Sequence, residues 1–428
     1  MKSVSPSTPP RRESFRRVAA IGIFALAVSG LVAATTGVGP AIRPGDRIAI
    51  VGNTFADQLR ANGYFETLLL QLPSEPRVSV RNLGWAGDML SARDRPTNFP
   101  SEKATLIAHQ TDVIIACFGL GESFAGSAGL PAFRTALHAF ADSHRGQKYN
   151  GKSEVRLILV SPIAYEDLGP RTPAHARRNE ELVNYTAAME HVAAALELPF
   201  INLYQPTREL MADSTAPKLT SNGIHLNTYG HWAVSRILAA GVASATRPWA
   251  LRIDPRARRA SGDGVTITNV EADAGGVRFT VKEDRPPSPA PPTDDPIHAA
   301  LQPLRDALIV ADLPAGEHML TIDGDPVVAA SHDQWAAGVA IDSSPRHREA
   351  EALRQAVNDK NQHWIYHWKA INQVHIVGER KTSPSGQALP GELIEFKRLT
   401  DEKDQALRNR IRPSATTHTW QLMPLSRP

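Results

Sequence analysis

Four short segments hold the residues that could do chemistry. Ile50-Val-Gly-Asn-Thr-Phe-Ala-Asp57 offers the hydroxyl of Thr54 beside the amide of Asn53. Asn82-Leu-Gly-Trp-Ala-Gly-Asp88 offers the backbone N–H of Gly87, which no side chain obstructs. Phe118-Gly-Leu-Gly-Glu-Ser123 brings Gly121 and Glu122, and Asn222-Gly-Ile-His-Leu-Asn-Thr-Tyr-Gly230 brings His225 three residues after Asn222. A hydroxyl, a histidine to take its proton and N–H groups aimed at a developing oxyanion are the parts that acyl transfer requires. Singly each segment is weak, because a glycine after a strand usually makes only a turn and a lone histidine is more often structural. Their order and their placement at strand ends carry the reading.

The elements that must position these segments follow from periodicity. Ile48–Gly52, Val78–Asn82, Val113–Phe118, Arg156–Ser161 and Pro199–Leu203 are short runs, the clearest of them almost wholly apolar. Such runs read as strands buried on both faces. Between them lie amphipathic stretches. Leu182, Tyr185, Met189, Val192 and Leu196 recur at steps of 3 and 4 within Arg178–Leu198, and Phe133, Leu137 and Phe140 repeat the spacing one helix earlier. Strand–helix alternation predicts about five parallel strands covered on both sides, with function gathered in the loops at their carboxyl ends.

The four segments resemble those of the SGNH (GDSL-type) hydrolases over about Arg47–Ala243. Within that range Gly119-Leu-Gly-Glu-Ser-Phe-Ala-Gly126, Lys148-Tyr-Asn-Gly-Lys152 and Ser161-Pro-Ile-Ala-Tyr-Glu-Asp167 look like one bacterial branch. The resemblance implies a three-layer, flavodoxin-like α/β domain that hydrolyses esters without a cofactor or metal. Thr54 stands where the family has its nucleophilic serine and Asn53 where it has the neighbouring aspartate. Gly87 matches the oxyanion-hole glycine, and His225 matches the general base. Gly121 replaces the asparagine that adds a side-chain donor, Glu122 replaces the following aspartate, and Asn222 replaces the aspartate that orients the histidine. These departures bear on rate. An amide behind the base lowers turnover by about 10⁴ in a serine-protease triad, and loss of one oxyanion donor costs about 10²–10³. Asp57, Glu122, Glu166 and Asp167 are the carboxylates available to stand in for the missing one.

The expected activity is hydrolysis of an ester, such as an O-acyl group on a carbohydrate, with a small-molecule or glycan ester as partner. The rival reading is a catalytically silent domain that uses the same cleft to bind a glycan or peptide. A net charge of +3 on 91 charged residues, with no long basic run, gives no footprint for nucleic acid. The single cysteine, Cys117, excludes an intrachain disulfide and reads as a buried small hydrophobe rather than a nucleophile.

Outside residues 43–245 three further regions stand out. Residues 1–36 place Lys2, Arg11, Arg12, Arg16 and Arg17 ahead of the apolar run Val18–Ala34, and Val32-Ala33-Ala34 suits a cleavage site. The expectation is export to the periplasm or beyond, with an uncleaved membrane anchor as the alternative. Residues 260–340 read as a small β-rich accessory module, with hairpins over Gly264–Val281 and Leu308–Val328 on either side of Arg285-Pro-Pro-Ser-Pro-Ala-Pro-Pro-Thr, a stiff extended linker or an exposed loop. Residues 345–428 read as charged helix broken by a strand at His375-Ile-Val and ending in a poorly ordered Ile411–Pro428. His363 and His367 sit one turn apart, but with no acidic or thiol partner they read as packing rather than a metal site.

Overall fold

The computed structural model describes residues 35–36, 41–72, 75–96, 98–243, 248–273, 276–292, 297–369, 373–410 and 416–425. The Val18–Ala34 run lies outside them. No helix among the described residues is long and apolar enough to cross a membrane.

Five strands form the central parallel sheet: β1 (Arg47–Gly52), β2 (Ser79–Asn82), β3 (Val113–Cys117), β4 (Arg156–Val160) and β5 (Phe200–Ile201). Their order is β2-β1-β3-β4-β5, and Thr35–Thr36 adds an antiparallel pair outside β5. That is the flavodoxin-like arrangement, in which the order reverses between β1 and β3 and opens a crevice at their carboxyl ends. The two-residue period of a strand explains the all-apolar runs. Ile48, Ile50, Val113, Ile115, Ile158 and Val160 enter one core, while Ala49, Val51, Ile114, Ala116, Leu157 and Leu159 enter the other. Helix α1 (Thr54–Gln58) follows β1, and α2 (Tyr64–Leu70) lies on the first face. Helix α3 (Glu102–His109) precedes β3. Helices α4 (Leu130–His144) and α5 (His175–Ala195) cover the second face; α6 (Tyr204–Met211) follows β5, and α7 (Thr228–Val242) completes the first face beside α2.

The rest of the chain forms two smaller sheets and a helical tail. One sheet joins β6 (Ala250–Asp254) and β7 (Arg259–Asp263) to β10 (Ala307–Val310) and the short β13 (Val339–Ala340). The other contains β8 (Val265–Asp273), β9 (Gly276–Glu283), β11 (Glu317–Ile322), β12 (Asp325–Ser331) and β14 (His418–Pro424). The hairpins β8–β9 and β11–β12 form as the turn signals require. Leu308–Val310, however, leaves the expected hairpin and pairs in parallel with β6.

Three expectations for this half are corrected. Within Ile411–Pro428 the described residues 416–425 are ordered: β14 is the middle strand of its sheet and buries His418, Trp420 and Leu422 on one face. Those three residues at alternate positions are a strand period that the polar flanks had masked. The proline-rich segment is not an exposed spacer either. Pro287, Ser288 and Pro289 are buried; the Pro287 carbonyl accepts from Gln71 Nε2 (2.9 Å), and the Pro289 carbonyl from Trp232 Nε1 (3.1 Å) and Arg236. A polyproline stretch has every carbonyl free, so it can serve as an acceptor strip against a packed domain. Finally His375-Ile lies in a short helix, α10 (Gln373–Ile376), which follows α8 (His332–Ala337) and α9 (Pro345–Trp368). Helices α11 (Pro384–Ala388) and α12 (Pro390–Arg410) come next.

The long helices α9 and α12 have a structural task at the edge of the main sheet. An edge strand leaves a row of unpaired backbone groups. At β2 these are covered from α9: Lys360 Nζ donates to the Val80 carbonyl at 3.0 Å and Trp364 Nε1 to the Asn82 carbonyl at 2.6 Å. Lys360 is fully buried, and its charge is matched by Glu66 at 2.5 Å. From α12, Asp404 accepts from Ser79 at 2.8 Å and Asp401 from Arg81 at 2.9 Å.

Candidate active site

The candidate residues form two pairs, each held in a loop beyond the carboxyl end of a parallel strand. The first pair sits at the end of β1. Gly52 has φ +134, and a side chain there would lie 2.1 Å from the Cys117 carbonyl, so the chain turns hard against β3 before α1 begins. Asn53 caps that helix by accepting from Phe55 N at 3.0 Å, which sets Thr54 at the first helical position. The Thr54 hydroxyl is half-buried and accepts from the Gly87 N–H at 3.2 Å. Gly87 has φ +88, a conformation that favours glycine, and nothing lies within 4 Å of where its Cβ would be. The N–H is thus bonded to Thr54, and the space beside the Gly87 Cα is open.

Buried contacts hold the Gly87 loop. Trp85 N bonds the Gly52 carbonyl at 2.9 Å, and Gly84 approaches α1 so closely that a Cβ would meet Asp57 N at 2.4 Å. Trp85 packs edge-on against Trp368 of α9, with ring centroids 5.3 Å apart. Arg95 stacks over the Trp85 ring at 4.2 Å and is itself held by both oxygens of Asp88 at 2.6 and 2.8 Å. Lys369 reaches Asp57 at 2.7 Å. Sequence reasoning missed Trp368 and Lys369, because nothing local marks a side chain that meets the loop from 280 residues away.

The second pair lies in the loop before α7. Glu166, after β4, holds this loop by accepting from Leu219 N (3.0 Å), Thr220 N (2.7 Å) and Thr220 Oγ1 (2.6 Å), while its own N–H bonds the Gly223 carbonyl. Asn222 Nδ2 lies 3.0 Å from His225 Nδ1. The amide cannot be turned round at no cost, because Asn222 Oδ1 already accepts from His225 N at 2.9 Å and Ile224 N at 3.3 Å. Nδ2 is a donor only, so Nδ1 of the neutral ring must be the acceptor and the proton sits on Nε2. In that tautomer Nε2 donates a hydrogen bond, where a general base needs a lone pair. Among the described residues no hydrogen bond joins Thr54 to His225.

The third loop contributes position rather than donors. Glu122 accepts from Leu90 N at 2.8 Å and Gly119 N at 2.9 Å, tying the loops after β2 and β3 together. At Gly121 an added Cβ would stand 2.8 Å from Met89 Cγ. None of the four candidate carboxylates takes the place behind His225. Asp57 faces Lys369 and Arg60, Asp167 faces Gly169 N and His175, and Glu122 and Glu166 hold loops as above. Cys117 is buried, and burial pushes its thiol well up, so it is no rival nucleophile. His363 and His367 each face a backbone carbonyl through Nδ1, at 2.8 Å, and no cluster of metal-ligating groups occurs among the described residues.

No protein-family model matches this sequence, and no curated protein does. Solved structures do match. A gut microbial diltiazem-metabolizing enzyme aligns with 91% of this chain and 100% of its own, at 14% identity and a TM-score of 0.65. The alignment therefore runs through the smaller sheets and the tail as well as the parallel sheet. The acetylxylan esterase of Geobacillus stearothermophilus aligns with 48% of this chain and 96% of its own, at 16% identity and a TM-score of 0.36. An α/β hydrolase from the metagenome of Lake Arreo, Spain, aligns with 49% and 98%, at 15% identity and a TM-score of 0.34. The first of these establishes the fold: a three-layer α/β domain with a parallel sheet, two smaller sheets and a helical tail.

Proposed function

We propose that this chain is an exported SGNH-type hydrolase of acyl esters, with Thr54 as nucleophile and His225 as base. One observation carries the reading: the Gly87 N–H is aimed at the Thr54 hydroxyl across 3.2 Å with open space beside it. Thr54 Oγ1 attacks the acyl carbon as His225 takes its proton. The N–H groups of Gly87 and Thr54 hold the oxyanion. Collapse releases the alcohol, which His225 protonates, and water repeats the steps to free the acid. Asn222 makes this slow, since the ring must first pass to its minor tautomer, with the proton on Nδ1, before Nε2 can accept. The preferred substrates are O-acyl groups on carbohydrates or small molecules in the outer compartment that the Arg-rich start and the Val18–Ala34 run specify.

A second reading rests on the same tautomer. With Nε2–H of His225, the Gly87 N–H and the Thr54 hydroxyl all able to donate, the cleft suits the carbonyl and hydroxyl oxygens of a glycan or peptide that it binds without cutting.

Hydrolysis of 4-nitrophenyl acetate by the purified chain separates the two readings. Slow turnover that Thr54→Ala removes is the expected result. Turnover that survives Thr54→Ala would place the chemistry on other residues. No turnover in either the natural chain or Asn222→Asp would leave the binding module. For location, a reporter fused after Ala41 is expected to be active only outside the cytoplasmic membrane, and a cytosolic reporter would refute export.

A further inference from the structure

A cavity of about 700 Å³ lies away from the Thr54 cleft, between α3 on one side and α9, α10 and α12 on the other. Its walls combine aromatic faces with fixed charge. Phe99, Trp364 and Trp368 supply the faces, and the two indoles lie nearly parallel, 6.2 Å apart. Arg47, Arg81, Lys397 and Arg408 also line it, against only two carboxylates, Asp401 and Asp404.

Those carboxylates are already committed. Asp404 accepts from Ser79 and faces Arg81 (3.1 Å) and Arg408 (3.5 Å), while Asp401 faces Arg81 (2.9 Å) and Lys397 (2.5 Å). Four cations with donors to spare around two shared carboxylates leave the cavity positive. His109 adds no charge, because burial and the nearby Arg81 push its pKa well down. Four lining side chains keep a buried polar atom without a hydrogen bond among the described residues: Asp404 Oδ1 and Arg408 Nε, which are ion-paired, and His109 Nε2 and Trp368 Nε1, which are not. A buried polar atom without a partner is costly, and a ligand that reaches it removes that cost.

We infer that this cavity is a second binding site, for a small flat aromatic carboxylate whose ring lies against Trp364 and Trp368 and whose charge meets the arginines. The volume is in the range of about 300–1,000 Å³ that such ligands occupy. The assignment is independent of the chemistry proposed for Thr54. It does adjoin that cleft through one layer of side chain, because Trp368 touches Trp85 of the loop that carries Gly87.

The probe is 1-naphthoate, titrated into the full chain by calorimetry with 1-naphthalenemethanol as its uncharged counterpart. The naphthoate is expected to bind at least tenfold more tightly than the alcohol. Ala104→Trp places an indole in the cavity from an exposed position on α3 and is expected to weaken naphthoate at least tenfold with an unchanged melting temperature. Arg408→Gln is expected to weaken the naphthoate and leave the alcohol alone. No heat of binding at millimolar naphthoate overturns the site. Equal affinity for acid and alcohol overturns the charge assignment, and binding unaffected by both substitutions places the probe elsewhere.

Discussion

The two candidate pairs, Thr54 with Gly87 and Asn222 with His225, are held in opposite ways. The Thr54 pair is fixed by buried backbone: Gly52 against Cys117, Gly84 against Asp57, and Trp85 between Gly52 and Trp368. Few side chains could be changed there without disturbing the core. For the His225 pair the loop is anchored from below by Glu166, yet Asn222, which sets the ring's proton, is exposed. The contrast teaches that the proposed nucleophile is held by the core, while the proposed base depends on one exposed amide. An aspartate at 222 could accept from the same two backbone N–H groups and also from Nδ1–H, which is the tautomer a base needs.

That contrast gives the largest expected effect. Asn222→Asp should raise kcat on 4-nitrophenyl acetate by up to about 10⁴, the size of the loss when a triad carboxylate becomes an amide. No increase would mean that the ring is not what limits the natural chain. The companion measurement is His225→Ala in both backgrounds. It should lower turnover by about 10³ or more in Asn222→Asp and far less in the natural chain, since effects within one catalytic unit are not additive. Equal losses would show that Asn222 does not control the ring.

The Thr54 pair is expected to respond more mildly. Gly121→Asn alone should change little, because its Cβ would press on Met89. Paired with Met89→Ala to clear the space, it should raise kcat by about 10² if the amide reaches the oxyanion. A double variant no faster than the natural chain would place residue 121 outside the hole. Gly87→Ala keeps the N–H and meets no atom, so its cost is backbone strain alone, about 1–2 kcal/mol of stability by thermal melting. A much larger loss would mean that the space beside Gly87 is filled in solution. The smallest effect is expected from Thr54→Ser. Removing the β-methyl frees χ1 and should speed turnover by roughly threefold, whereas slower turnover would show that the methyl helps hold the hydroxyl toward Gly87.

By itself the sequence determined the parallel sheet, its strand positions and the order of its loops. Those features rest on local period, which β1, β3 and β4 show most plainly. It also placed Gly87 with Thr54 and Asn222 with His225, since each lies in a segment ending a legible strand or opening a legible helix. What only the tertiary structure decided depends on partners far along the chain. The β14 strand is readable only beside β9 and β11, and the proline-rich segment is buried only because Gln71, Trp232 and Arg236 reach it. Helix α9 gains its role from the bare edge of β2, which no helical period announces. The ring tautomer of His225 belongs to the same class: the sequence names Asn222, but the two backbone N–H groups that fix its amide appear only once the loop is folded.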